Sequence, residues 1–90
     1  MPMYKYYAVI EREQTEDTEG YTVSFPDLAG CITEGDSLSD AVSCAEEALG
    51  GYLLASESFN DDIPMPSKPE SIKVPEGASL ILVEVNTDKE

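Results

Sequence analysis

The order of apolar and polar positions divides the chain into five periodic stretches. Tyr4 to Ile10 is rich in aromatic and β-branched residues, with apolar groups on both faces. That predicts a central strand reaching to about Arg12. Glu13 to Gly20 is polar, acidic and closed by glycine, which predicts a hairpin loop at the solvent. Tyr21, Val23 and Phe25 then alternate with Thr22 and Ser24, the period of a one-sided strand. Pro26 has no N–H for a sheet ladder and Pro26-Asp27 with Gly30 is turn chemistry, so the chain turns there. Cys31 to Glu34 completes a third, short antiparallel strand.

From Ser37 the period changes. Leu38, Ala41, Val42, Ala45, Ala48, Leu49, Tyr52 and Leu53 form an apolar helical stripe of about four turns. Ser37 suits the N-cap, and Asp36 and Asp40 suit the positive end of the helix dipole. Gly50 and Gly51 are costly within a helix; they mark either close packing on a sheet or a frayed last turn. Between Asn60 and Gly77 stand Pro64, Pro66, Pro69 and Pro75, which exclude helix and predict an extended crossing loop. Leu80 to Val85 is a nearly continuous apolar run, predicting a fourth strand buried on both faces. The fold class is α+β: β-β-β-α-β, one mainly antiparallel sheet with a helix packed on one face.

Composition narrows the function. Ninety residues are enough for one domain, residues 1–90, with a small core that association would support. Nineteen acids against five bases give a net charge of −14. Such a chain repels phosphate backbones and anionic membrane surfaces, and its natural complement is a basic partner. No apolar run approaches the roughly 18–20 residues of a membrane span. Without a recognisable signal peptide, the expectation is a cytoplasmic protein with reduced thiols.

Catalytic chemistry finds little to work with. There is no histidine, so the commonest neutral-pH base and metal ligand is missing. Cys31 and Cys44 lack CxxC spacing and a histidine partner, which argues against a thiol nucleophile or a zinc site. Asp27, Glu34 and Asp36 lie near strand ends and could in principle converge on Mg²⁺ as in a metal-dependent nuclease. Each also has a simpler local duty: turn, solvent contact and helix start. The expectation is no enzyme activity and no cofactor.

Taken together, Phe25-Pro26-Asp27-Leu28, Gly30-Cys31, Thr33, Gly35-Asp36-Ser37 and the later Pro64-Met65-Pro66-Ser67 resemble the HicB family of antitoxins. The family pattern has a second proline where Ala29 stands, and commonly glutamate where Asp40 stands. The resemblance spans about residues 4 to 86. It implies a partial RNase H-like fold that is not a working ribonuclease. It also implies the antitoxin role in a type II toxin–antitoxin pair, with a small basic HicA-like mRNA-cleaving toxin as partner. Many members carry a C-terminal DNA-binding module; none is recognisable in these residues, which fit a short member or part of a longer one. The expected mechanism is occlusion of the toxin's RNA-binding surface. The candidate contacts are Phe25, Leu28, Asp27, Glu34 and Asp36, with core packing as the competing role for Phe25 and Leu28. Tyr4, Tyr6 and Tyr7 serve either the core or a homodimer or homotetramer interface. Gly30 and Gly35 read as backbone requirements. An orphan acidic interaction module without a toxin is the alternative function.

Overall fold

The computed structural model describes residues 3–14, 16 and 19–87. Its elements are β1 (Met3–Gln14), β2 (Glu19–Ser24), β3 (Ile32–Gly35), α1 (Leu38–Ser58), a single 3₁₀ turn (Pro69–Ser71) and β4 (Ser79–Asn86). The four strands form one antiparallel sheet in the order β3-β2-β1-β4, and α1 packs on one face. This is the α+β arrangement the periodicity predicts. The β1–β2 ladder runs on to Glu13↔Gly20 and Gln14↔Glu19, so the strands extend beyond the predicted Arg12 and Tyr21 limits. Residues 15, 17 and 18 of the predicted hairpin loop lie outside the described residues.

Alternation assigns the faces. Tyr6, Ala8 and Ile10 of β1, Val23 of β2 and Val83 of β4 join Ala41, Ala45, Leu49 and Leu53 of α1 in one core. Full burial of each Leu contributes about 1.5–3 kcal/mol, which makes the α1 stripe a principal source of cohesion. The small residues of that stripe let the helix approach closely. At Gly35, a Cβ would stand 2.4 Å from the Ala41 backbone nitrogen, so the last residue of β3 has to be glycine for the helix start to sit where it does.

The helix ends are specified locally. Ser37 Oγ accepts the Asp40 N–H at 3.1 Å, the predicted N-cap. At the other end, Asn60 takes a left-handed conformation (φ 56°). Its N–H donates to the Glu57 carbonyl and the Asp61 N–H to the Ser56 carbonyl, a Schellman stop. Gly50 and Gly51 fit neither predicted role. The helix continues past them to Ser58, and a Cβ at either would meet nothing within 4 Å.

Strand β4 departs from expectation. It is an edge strand, and α1 covers one face of the sheet, so of its six apolar-run positions only Val83 is buried while Leu82 is 51% exposed. The long loop is extended as predicted, apart from the 3₁₀ turn begun by Pro69, where the missing N–H costs nothing.

Two glycine substitutions should therefore move stability in opposite directions. Gly35→Ala should destabilise by about 1–3 kcal/mol, because backbone must shift to admit the methyl group. Gly51→Ala should stabilise by up to about 1 kcal/mol, since it gains helix propensity in open space. Thermal melts of the two variants beside the parent chain check both signs.

Candidate partner-binding surface

The corner between β2 and β3 is two consecutive turns. The Leu28 N–H donates to the Phe25 carbonyl at 3.0 Å and the Cys31 N–H to the Leu28 carbonyl at 3.1 Å. Phe25 N–H to Cys31 carbonyl, at 3.1 Å, closes the pair. Pro26 presets the first turn, and Gly30, at φ 82°, supplies the left-handed residue of the second. This compact corner directs Phe25 and Leu28 inward, where they are 2% and 1% exposed. Neither side chain reaches the surface to meet a partner in this conformation; both are core.

Asp27 is half-buried and holds the distant loop. Its carboxylate accepts the Ser67 N–H at 2.7 Å and the Ser67 hydroxyl at 2.5 Å. Three residues earlier in the same loop, the Pro64 carbonyl accepts the Tyr6 hydroxyl, and Ile63 packs against the core. The two sequence features 40 residues apart, Pro-Asp-Leu and Pro-Met-Pro-Ser, are thus halves of one clasp. Burial pushes the Tyr6 hydroxyl pKa above its ordinary 10.0, and the nearby Asp27 and Tyr52 add to the rise. Nothing in the sequence short of that long-range pairing disclosed the role of Ser67.

Glu34 and Asp36 remain at the surface. They line a shallow depression of about 300 Å³ with Glu13, Glu19, Tyr21 and Thr22. Asp27 does not join them: among the described residues no group of three or more acids or cysteines is placed to hold a metal ion. Cys31 is buried with its thiol facing the Ala48 carbonyl at 3.9 Å, and burial raises its pKa above 9.0. Cys44 is a free, half-buried thiol on α1. A second polar tie closes the far end of the sheet, where Glu57 accepts the Tyr4 hydroxyl at 2.8 Å and the Thr87 hydroxyl at 3.0 Å. Among the described residues no helix is long and apolar enough to cross a membrane.

Among the described residues, no helix covers the opposite face of the sheet. Strand register sets its side chains in rows. Ile32, Ser24, Val9 and Leu80 form one row across all four strands, and Tyr7 and Leu82 the next. On one side follows a row of Glu34, Thr22 and Glu11, with Glu13 beyond. On the other, Lys5 pairs with Glu84 at 3.6 Å. Val9 is buried yet stands outside the helix-side core, because its neighbours on this second face cover it. Sequence reasoning missed this surface. The signal was available in the apolar groups on both faces of β1, which were assigned to a central strand alone.

The clasp makes two measurable statements. Asp27→Ala should cost about 1–3 kcal/mol, and so should Ser67→Ala. The double variant should cost little more than either alone, which a double-mutant cycle of urea unfolding would read. Tyr6 gives a pH dependence. Unfolded, it ionises near its ordinary 10.0; folded, it keeps its proton to higher pH. That stabilisation is whole below 10.0 and is lost as pH rises through the folded value. Urea midpoints taken from neutral into alkaline pH should fall accordingly, with a shallower fall in Tyr6→Phe.

The chain matches the family model described as HicB-like antitoxin of bacterial toxin–antitoxin system over residues 6–89. It is 34% identical over 71 residues to an uncharacterised 14.9 kDa protein of Haemophilus phage HP1, spanning 78% of this chain and 53% of the phage protein. It is 33% identical over 67 residues to a UPF0150 protein of Thermoplasma acidophilum, covering 73% of this chain and 91% of that protein. Among solved structures, it superposes on a chain of a toxin–antitoxin complex from Streptococcus pneumoniae with TM-score 0.86 at 22% identity, covering 96% of this chain and 71% of that one. For a chain of a HicA3–HicB3 toxin–antitoxin complex the TM-score is 0.69 at 28% identity, with 92% and 99% covered. The N-terminal domain of the Burkholderia pseudomallei antitoxin HicB gives 0.71 at 23%, again with 92% and 99% covered. The corner, the clasp and these matches agree, and the chain belongs to the HicB-like antitoxin family.

Proposed function

We propose that this protein is the antitoxin of a bacterial type II toxin–antitoxin pair and neutralises a small, basic, HicA-like mRNA-cleaving toxin by covering its RNA-binding surface. The observation that carries this reading is the family match over residues 6–89, which takes in every element of the fold except the first three residues of β1. The charge supports it. A surface built to hold phosphates attracts a domain of net charge −14, and the mutual field speeds encounter. Occlusion needs no chemistry from the antitoxin, so the protein acts by binding and takes no cofactor. Residues 1–90 serve as a single toxin-binding domain in the cytoplasm and do not themselves bind operator DNA. Association of copies into a homodimer or homotetramer fits the outer edge of β4, an eight-residue strand with one partner among the described strands. At the far end of β3, Glu34 and Asp36 act as exposed acids that steer the toxin, while Phe25, Leu28 and Asp27 hold the corner from which that strand departs.

The test is to read the genes on either side of this one for a short frame encoding a small basic protein, and to co-express that product with this chain. Expression of the basic protein alone should arrest growth, and co-expression should restore it, with both chains recovered together on affinity purification. Absence of both rescue and co-purification would leave an orphan acidic interaction module as the better reading.

A further inference from the structure

The four-stranded sheet buries one face beneath α1 and leaves the other without cover among the described residues. That open face is not uniformly polar. Ile32 is 64% exposed and Leu82 51%; Tyr7, Leu80 and the buried Val9 adjoin Leu82, and Ser24 alone stands between Val9 and Ile32. Large apolar side chains grouped on an open sheet face mark a surface that a partner can cover.

The flanks say what kind of partner fits. Glu11 and Glu34 line one side of the patch, in the row directly beside Ile32 and Val9, with Glu13 one row further on. The bases near this region are already engaged, Lys5 with Glu84 and Arg12 with Glu19. Arg12, two positions from Ile10 along β1, points to the helix side. A second copy is a poor occupant: it would bring another acid row into the same interface, with a net charge of −14 on each chain. A cationic protein presenting apolar groups flanked by lysine or arginine satisfies both parts at once. Its apolar centre would cover Ile32 and Leu82 while its bases meet Glu11 and Glu34.

Resting on the antitoxin reading above, we infer that the basic toxin docks on this open sheet face, with Ile32, Tyr7 and Leu82 as apolar anchors and Glu11 and Glu34 as charge partners. The face accounts for affinity in a way the β2–β3 corner does not, since Phe25 and Leu28 are committed to the core. Glu34 links the open face to the acidic depression at the far end of β3, two residues beyond Ile32, which stands next to the corner.

The experiment measures binding of the full chain to the product of a small basic reading frame neighbouring its gene, identified as in the co-expression test above. Ile32→Thr combined with Leu82→Thr removes apolar contact but keeps strand character, and both positions are exposed enough that the melting temperature should hold. The dissociation constant should rise about 30-fold or more, through faster dissociation. Glu11→Gln with Glu34→Gln should slow association several-fold at low salt and flatten its salt dependence. Glu46→Gln with Glu47→Gln, on the exposed side of α1, should leave the dissociation constant within about twofold. Parent chain that binds, together with an Ile32/Leu82 variant that binds equally well, overturns the docking face and leaves the antitoxin reading standing. Parent chain that fails to bind overturns the antitoxin reading itself. Unchanged toxin affinity with loss of self-association on light scattering would make the face a contact between copies, and would also overturn the inference.

Discussion

The seam between α1 and the sheet is the constraint on which the other features depend. One helix supplies Ala41, Ala45, Leu49 and Leu53 to a sheet face built from Tyr6, Ala8, Ile10, Val23 and Val83. A chain of this length has no second layer to spare, so nearly all its cohesion lies on one side of the sheet. Close approach is what makes a thin core dense, and the missing side chain at Gly35 allows it where β3 meets the helix start. The same economy leaves the second face of the sheet bare.

The loop after α1 completes that core. Asn60 stops the helix, four prolines hold the next stretch extended, and Ile63 is carried onto the core. Proline-rich chain makes few ladder bonds of its own, so it needs anchors elsewhere. Tyr6 supplies one through the Pro64 carbonyl, and Asp27 supplies the other through Ser67. A carboxylate that accepts two hydrogen bonds in a half-buried site holds its partner more firmly than a neutral acceptor would. The corner is thus less a binding loop than the fixed half of a latch.

This division explains what was legible in the sequence. Period-2 and period-3.6 patterns reveal local partners, and they located all four strands, the helix and its Ser37 cap. Gly35 reads from the sequence as a backbone requirement of positive φ or a bulge; the requirement holds, but its cause is the close approach of the helix start, while positive φ falls at Gly30. Burial of β4 was misjudged because an apolar run such as Leu80 to Val85 looks the same whether covered on two faces or one. Cover is a property of the layer count, and among the described residues a single α-helix packs on the sheet. The roles of Asp27 and Ser67 needed a pairing across 40 residues, which no periodicity encodes. Gly50 and Gly51 face open space, and nothing in the fold explains why both are glycine.

The bare sheet face and the acidic charge are connected. An apolar patch in water invites self-association, whereas a large net charge of one sign opposes it. The net charge of −14 disfavours pairing of two copies face to face on this patch, because the acid row beside Ile32 and Val9 puts part of that charge at the patch itself; the β4 edge lies outside that row. A basic partner feels the opposite force and arrives at the same place. In the docking proposed above, the charge has a second role: it would disfavour self-contact at the exposed apolar anchor and leave it for an oppositely charged surface. Affinity then comes from what is buried on contact, and selectivity from which surfaces are permitted to approach.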